Sequence, residues 1–128
     1  YMKLNHNCIR NVLLYFEEKL DCCNELDLFG FSCDGFSKED TTYSIKKLIE
    51  AGYLSAKVVD DINGDTLITV YEITWNGHNF LDTIRDDTVW GHTQKLLSKF
   101  ASTSLTFVSN IASQVLTNLV NQHLNGQI

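Results

Sequence analysis

The side chains whose types could bind a metal or act as nucleophiles are Cys8, Cys22, Cys23 and Cys33 together with His6, His78 and His92. Their spacing argues against both uses. His6 and Cys8 lie two apart, while His78 and His92 are distant in sequence. A Cys–His nucleophile pair or a mixed Cys/His zinc site would therefore have to be assembled wholly by the fold. No Cys-x-x-Cys spacing occurs, and four cysteines in 128 residues fall short of a secreted disulfide scaffold. Free, reduced thiols in a cytoplasm are the expectation. His78 is expected to pack against the body with its ring bonded to a backbone carbonyl. Asp86-Asp87 is expected to end one helix and start the next, since carboxylates favour the positive end of a helix dipole. There is no Gly-rich phosphate loop, no serine nucleophile elbow and no carboxylate pair at a spacing that places both on one face. The chain is accordingly expected not to be an enzyme, to need no metal or cofactor, and to take no small-molecule substrate.

The elements that position these residues come from a chain of single-domain length, 44% hydrophobic, which suffices for a modest core without crosslinks. The net charge of −6 is unevenly spread. Residues 1–90 hold all sixteen acids and eight of the ten bases, and beyond Lys99 there is no charged side chain except His123 when protonated. An acidic body repels phosphate at long range, so nonspecific nucleic-acid binding, which depends on Lys and Arg displacing counterions, is disfavoured. Met2-Lys3-Leu4-Asn5-His6-Asn7 runs directly into helical periodicity, and no signal peptide is expected.

Ile9, Val12, Leu13, Phe16 and Leu20 mark one face of a helix from about Asn5 to Leu20. Residues 21–36 read as a loop holding one short strand. Ser37-Lys38-Glu39-Asp40 announces a second helix, which closes at Gly52 with Thr41, Ile45, Leu48 and Ile49 inward. Lys38, Glu39, Tyr43, Lys46, Lys47 and Glu50 then face outward. Two β-branched and aromatic runs, 53–59 and 66–73, flank Asp60-Asp61-Ile62-Asn63-Gly64-Asp65, and Asn-Gly is a strong hairpin-turn signal. Helix followed by hairpin is the recognition-helix and wing order of a winged helix. Thr74 is expected to cap a further helix carrying Phe80, Leu81 and Ile84. The fold expected is α+β: a winged-helix-like body over 1–90, followed by a long amphipathic C-terminal helix within 91–128.

Several blocks carry a family resemblance: Met2-Lys3-Leu4-Asn5 with Cys8-Ile9-Arg10, Ser37-Lys38-Glu39-Asp40, Leu48-Ile49-Glu50-Ala51-Gly52-Tyr53, Ile73-Thr74-Trp75-Asn76-Gly77-His78-Asn79-Phe80-Leu81-Asp82 and Val89-Trp90. They resemble the domain of unknown function 2513 family, small proteins of Gram-positive bacteria and their phages, over nearly the whole chain. The Thr-Trp-x-Gly-His-x-Phe-Leu-Asp block is the most specific part. The resemblance implies a phage or mobile-element setting in a bacterial host cytoplasm. It implies no activity, substrate or catalytic residue.

The tail repeats apolar residues in steps of four and three, at Ala101, Leu105, Val108, Ala112, Val115 and Leu119, which keeps one seam along a helix. Phe100, Phe107 and Ile111 widen the seam on one flank and Leu116 and Val120 on the other. An arc this wide calls for more than one neighbour. The tail can lie on its own body or, as the favoured expectation, form a homo-oligomer or partner interface. Twelve of residues 100–122 are Ser, Thr, Asn or Gln, too many for a spanning helix, and the polar face lacks the cations that draw a helix onto a bilayer.

Three functions remain. The leading one is a protein-binding, oligomerising module. The second is a DNA-binding regulator using Lys38, Thr42, Tyr43, Lys46 and Lys47. It is weakened by the acids among those lysines, by Asp60, Asp61 and Asp65 at the wing tip, and by the missing helix before the recognition helix. The third is an acidic inhibitor that occupies the basic groove of a host nucleic-acid-handling protein.

Overall fold

The computed structural model describes residues 3–60, 65–100 and 104–126. Helix α1 spans His6–Lys19, and the Asn5 side chain accepts from the Cys8 amide at 3.1 Å, satisfying one donor that a helix leaves unpaired in its first turn. Cys8, Ile9, Val12, Leu13 and Phe16 are buried along its expected inward face. Strand β1, Leu26–Phe29, follows as the short strand of the loop.

Helix α2, Lys38–Glu50, begins where the Ser37 hydroxyl accepts from the Asp40 amide at 3.1 Å. It ends at Gly52 with φ +80°: the Gly52 amide donates to Ile49 and the Tyr53 amide to Leu48, at 3.1 and 2.9 Å. This pair of bonds is the Schellman ending, and it needs a left-handed residue where Gly52 stands. Thr41, Ser44, Ile45 and Leu48 are buried. Ile49, expected inward, is only partly covered, because it sits about 100° round the helix from Leu48 while Ser44 lies on the Thr41–Leu48 line.

Strands β2, Leu54–Asp60, and β3, Thr66–Ile73, pair antiparallel, and β1 adds to the other edge of β3 to give the order β1-β3-β2. Ile68, Val70 and Ile73 are buried on one face. The Asn63-Gly64 turn and Asp61 lie outside the described residues. Helix α3, Trp75–Ile84, starts at Thr74, whose hydroxyl accepts from the Gly77 amide at 3.1 Å and donates to the Gly52 carbonyl, while its amide donates to Tyr53 at 3.2 Å. The first turn of α3 is thereby tied to the end of α2. A Cβ on Gly77 would press into the Tyr53 carbonyl oxygen and stand 2.7 Å from Ile73 Cγ2, so only glycine permits this approach.

The chain divides into two compact units, residues 1–79 and 80–128. In the second, Phe80, Leu81 and Ile84 are buried, and α4, Asp87–Leu97, is capped by Asp86, which accepts from the Val89 amide at 3.0 Å. Helix α5, Leu105–Asn125, packs on α4 and is capped by Ser104, which accepts from the Phe107 amide at 3.1 Å. The tail from 91 is therefore two helices rather than one. Ser104 accounts for the second start, as a hydroxyl acceptor that competes with helix continuation.

Candidate interaction surfaces

Lys38, Thr42, Tyr43 and Lys46 share a cleft of about 320 Å³ with Glu39, Gly30, Phe31 and Thr66, so most of the expected α2 face does converge. Its charge is largely answered from within. Lys38 Nζ lies 3.4 Å from the Asp65 carboxylate, and Lys47 Nζ lies 2.7 Å from Glu50 and 5.3 Å over the Tyr43 ring. The Glu50 carboxylate holds the Lys47 ammonium above its usual range. Exposed pairs of this kind contribute little to stability, about 0–1 kcal/mol, but each removes a cation from the field a phosphate would meet.

A second surface was not legible as such in the sequence. Register places Phe29 opposite Leu67 and Leu67 opposite Val59, so one apolar row crosses all three strands on the outward face. All three are exposed, Phe29 by 63%. The adjacent row is polar, with Asp27, Thr69 and Lys57 in line and the Thr69 hydroxyl donating to Asp27 at 2.7 Å. Leu67 and Ile68 are both apolar, so alternation within β3 alone does not say which faces water.

Along α5 the expected seam splits. Val108, Ala112 and Val115 are buried within the chain itself, whereas Leu105, Phe107, Ile111, Leu116 and Leu119 are half-buried. Ala101 lies outside the described residues. Beyond the seam, Val120 and Leu124 are 48% and 57% exposed. Beside them runs a groove of about 380 Å³ between His92, Lys95 and Leu96 of α4 and Val115, Asn118, Leu119 and Gln122 of α5. Phe100 meets Phe107 edge-on at 5.3 Å.

Cys8, Cys22, Cys23 and Cys33 are all free thiols. Cys8 and Cys33 are buried, and burial pushes the Cys33 thiol up to about 11, with the nearby Cys8 and Asp34 adding to the shift. Cys22 and Cys23 are exposed with their sulfurs 3.1 Å apart. His78 is exposed, against the expectation of a packed ring, while Gly77 and Phe80 are the buried positions of that turn. Among the described residues no three His, Cys, Asp or Glu side chains are grouped to hold a metal, and no helix is long and apolar enough to cross a membrane.

Residues 3–104 match the family model described as Hypothetical protein (DUF2513). The chain belongs to this family. An "Uncharacterized protein" of Haemophilus influenzae (strain ATCC 51907 / DSM 11121 / KW20 / Rd) is 33% identical over 120 residues, covering 93% of this chain and 99% of that relative. No solved structure matches. Within the matched stretch, the Thr74-Trp75-x-Gly77-His78 block is the α2–α3 tie: Thr74 caps and anchors, and Gly77 permits the backbone approach. Trp75 in the same block is 79% exposed, and the packing gives no account of it.

Proposed function

We propose that this chain is a non-enzymatic, winged-helix-like protein-interaction module that pairs with a second copy through the distal half of α5. The order α1-β1-α2-β2-β3 with sheet order β1-β3-β2 supports a winged helix in which a turn, bonded from the Phe36 amide to Cys33 at 3.0 Å, stands where a full helix-turn-helix has its preceding helix. The lysines of α2, two of them held by Asp65 and Glu50, favour protein over DNA as what the body engages. The phage or mobile-element setting implied by the resemblance suits such an accessory module.

The observation that carries the pairing is the exposure of Val120 and Leu124 beside the Leu96–Leu119 groove. At 1.5 Å per residue α4 spans about 16 Å and α5 about 31 Å, so α4 is too short to cover its neighbour. Burying Leu96, Leu119, Val120 and Leu124 in each of two copies contributes about 1–1.5 kcal/mol per half-exposed side chain. The total, about 8–12 kcal/mol, exceeds only the lower part of the association cost of about 4–15 kcal/mol. The balance is at best about 8 kcal/mol, so the dimer is reversible and no tighter than about micromolar, not obligate. Sedimentation or light scattering from 1 to 200 μM (about two decades around the expected range) tests it. Wild type should dimerise with concentration, and Val120→Asp/Leu124→Asp should be monomeric with an unchanged melt. A wild type that stays monomeric throughout overturns the pairing.

A further inference from the structure

Cys22 and Cys23 take no part in the core or in the proposed pairing, yet both are exposed and their sulfurs sit 3.1 Å apart in the segment joining α1 to β1. Two fates are open to such a pair, direct closure to a disulfide or capture of a third atom between the sulfurs. Geometry separates them. No peptide bond in the described chain is cis, and neighbouring Cα atoms across a trans bond stand about 3.8 Å apart. Disulfides ordinarily need about 4.4–6.8 Å between Cα atoms, so closing this pair stores strain and makes the bond easily reduced. A bridging atom with two bonds to sulfur widens the ring and removes that strain.

We infer that Cys22 and Cys23 form a chelating dithiol site for a trivalent, thiophilic centre of the organoarsenical class carrying one apolar substituent. Cys22 lines a hollow of about 280 Å³ whose apolar part is Phe16, Leu20, Tyr71 and Ile73 and whose larger, polar part is Glu17, Asp21, Glu72 and His78. The substituent lies in this hollow while the two sulfurs hold the centre. With an arsine oxide the reaction is a condensation: two S–H bonds and the As=O bond break, two As–S bonds form, and both protons leave with the oxygen as one water. Arsenic stays trivalent and nothing is oxidised. Cys8 and Cys33, buried within the body, are not accessible to the reagent.

The test uses full-length reduced protein and phenylarsine oxide, read by intact mass and by competition titration. One adduct per chain is expected, reversed by ethanedithiol and not by an equal concentration of a monothiol. Cys22→Ser and Cys23→Ser should each weaken binding by about 10²–10⁴-fold, the advantage of an intramolecular second bond. Tyr71→Ser, at an exposed position, should weaken phenylarsine oxide and leave methylarsine oxide unchanged. Absence of an adduct, or an adduct unaffected by both serine variants, overturns the site. A phenylarsine oxide affinity in Tyr71→Ser equal to that of the wild type, or an equal loss for both reagents, overturns the role of the hollow. A Cys22–Cys23 disulfide that survives a reducing glutathione buffer overturns the strain argument.

Discussion

Gly77 and Gly91 both lie inside helices, and replacing each by alanine should move stability in opposite directions. Alanine is favoured over glycine in a helix by about 1 kcal/mol, so propensity alone makes both changes stabilising. At Gly91 in α4 an added Cβ meets nothing within 4 Å, and that gain should appear, at about 0.5–1 kcal/mol. At Gly77 the added Cβ would press on the Tyr53 carbonyl, standing 2.9 Å from its carbon and 2.7 Å from Ile73 Cγ2. The obstructing atoms are mostly backbone, which cannot swing aside. Overpacking of this kind costs about 1–3 kcal/mol and occasionally more. Relief by backbone movement would break the 3.2 Å bond from the Thr74 amide to Tyr53, another 1 kcal/mol or so. Set against the propensity gain of about 1 kcal/mol, Gly77→Ala should lose about 1–3 kcal/mol net. Urea denaturation followed by circular dichroism gives both values at constant slope. A Gly77→Ala variant as stable as wild type would refute the claim that α3 is docked by close backbone approach at this position.

Changing Lys46 and Lys47 to glutamate should leave the melt unaltered and abolish no duplex affinity, because two of the three α2 lysines are already held by carboxylates; wild-type binding tighter than about 10 μM at 0.1 M salt, lost in the double variant, would contradict this. Ser37→Ala should cost about 1 kcal/mol through loss of the bond from the Asp40 amide, read by the same denaturation. For Cys33 the folded thiol is raised to about 11 from 9.0, so the unfolded chain releases its proton first and stability should fall as pH rises from 9 towards 11. That fall should be shallower in Cys33→Ala. Iodoacetamide at pH 8 should modify Cys22 and Cys23 in the native protein and all of Cys8, Cys22, Cys23 and Cys33 once it is denatured, with mass spectrometry locating the labels.

Local chemistry was legible because it is written in neighbouring residues. Ser37, Gly52 and Asp86 each act within a few positions of themselves, as does Thr74 in accepting from the Gly77 amide, and the structure places all of them at helix ends as their types require. The inward face of α1 and the hairpin strands follow from periods of 3.6 and 2, which a sequence displays directly. Family membership was likewise legible, through the block around Thr74 and Gly77. What needed the tertiary structure was every feature set by which elements meet. The Phe29–Leu67–Val59 row exists only once register brings three strands together, and the period within any one strand leaves its direction open. Burial of Val108, Ala112 and Val115 by the chain itself, leaving Val120 and Leu124 exposed, depends on α4 packing against α5 and being shorter than it. An apolar stripe states that a helix face will be covered. Only the packed neighbour decides over what length.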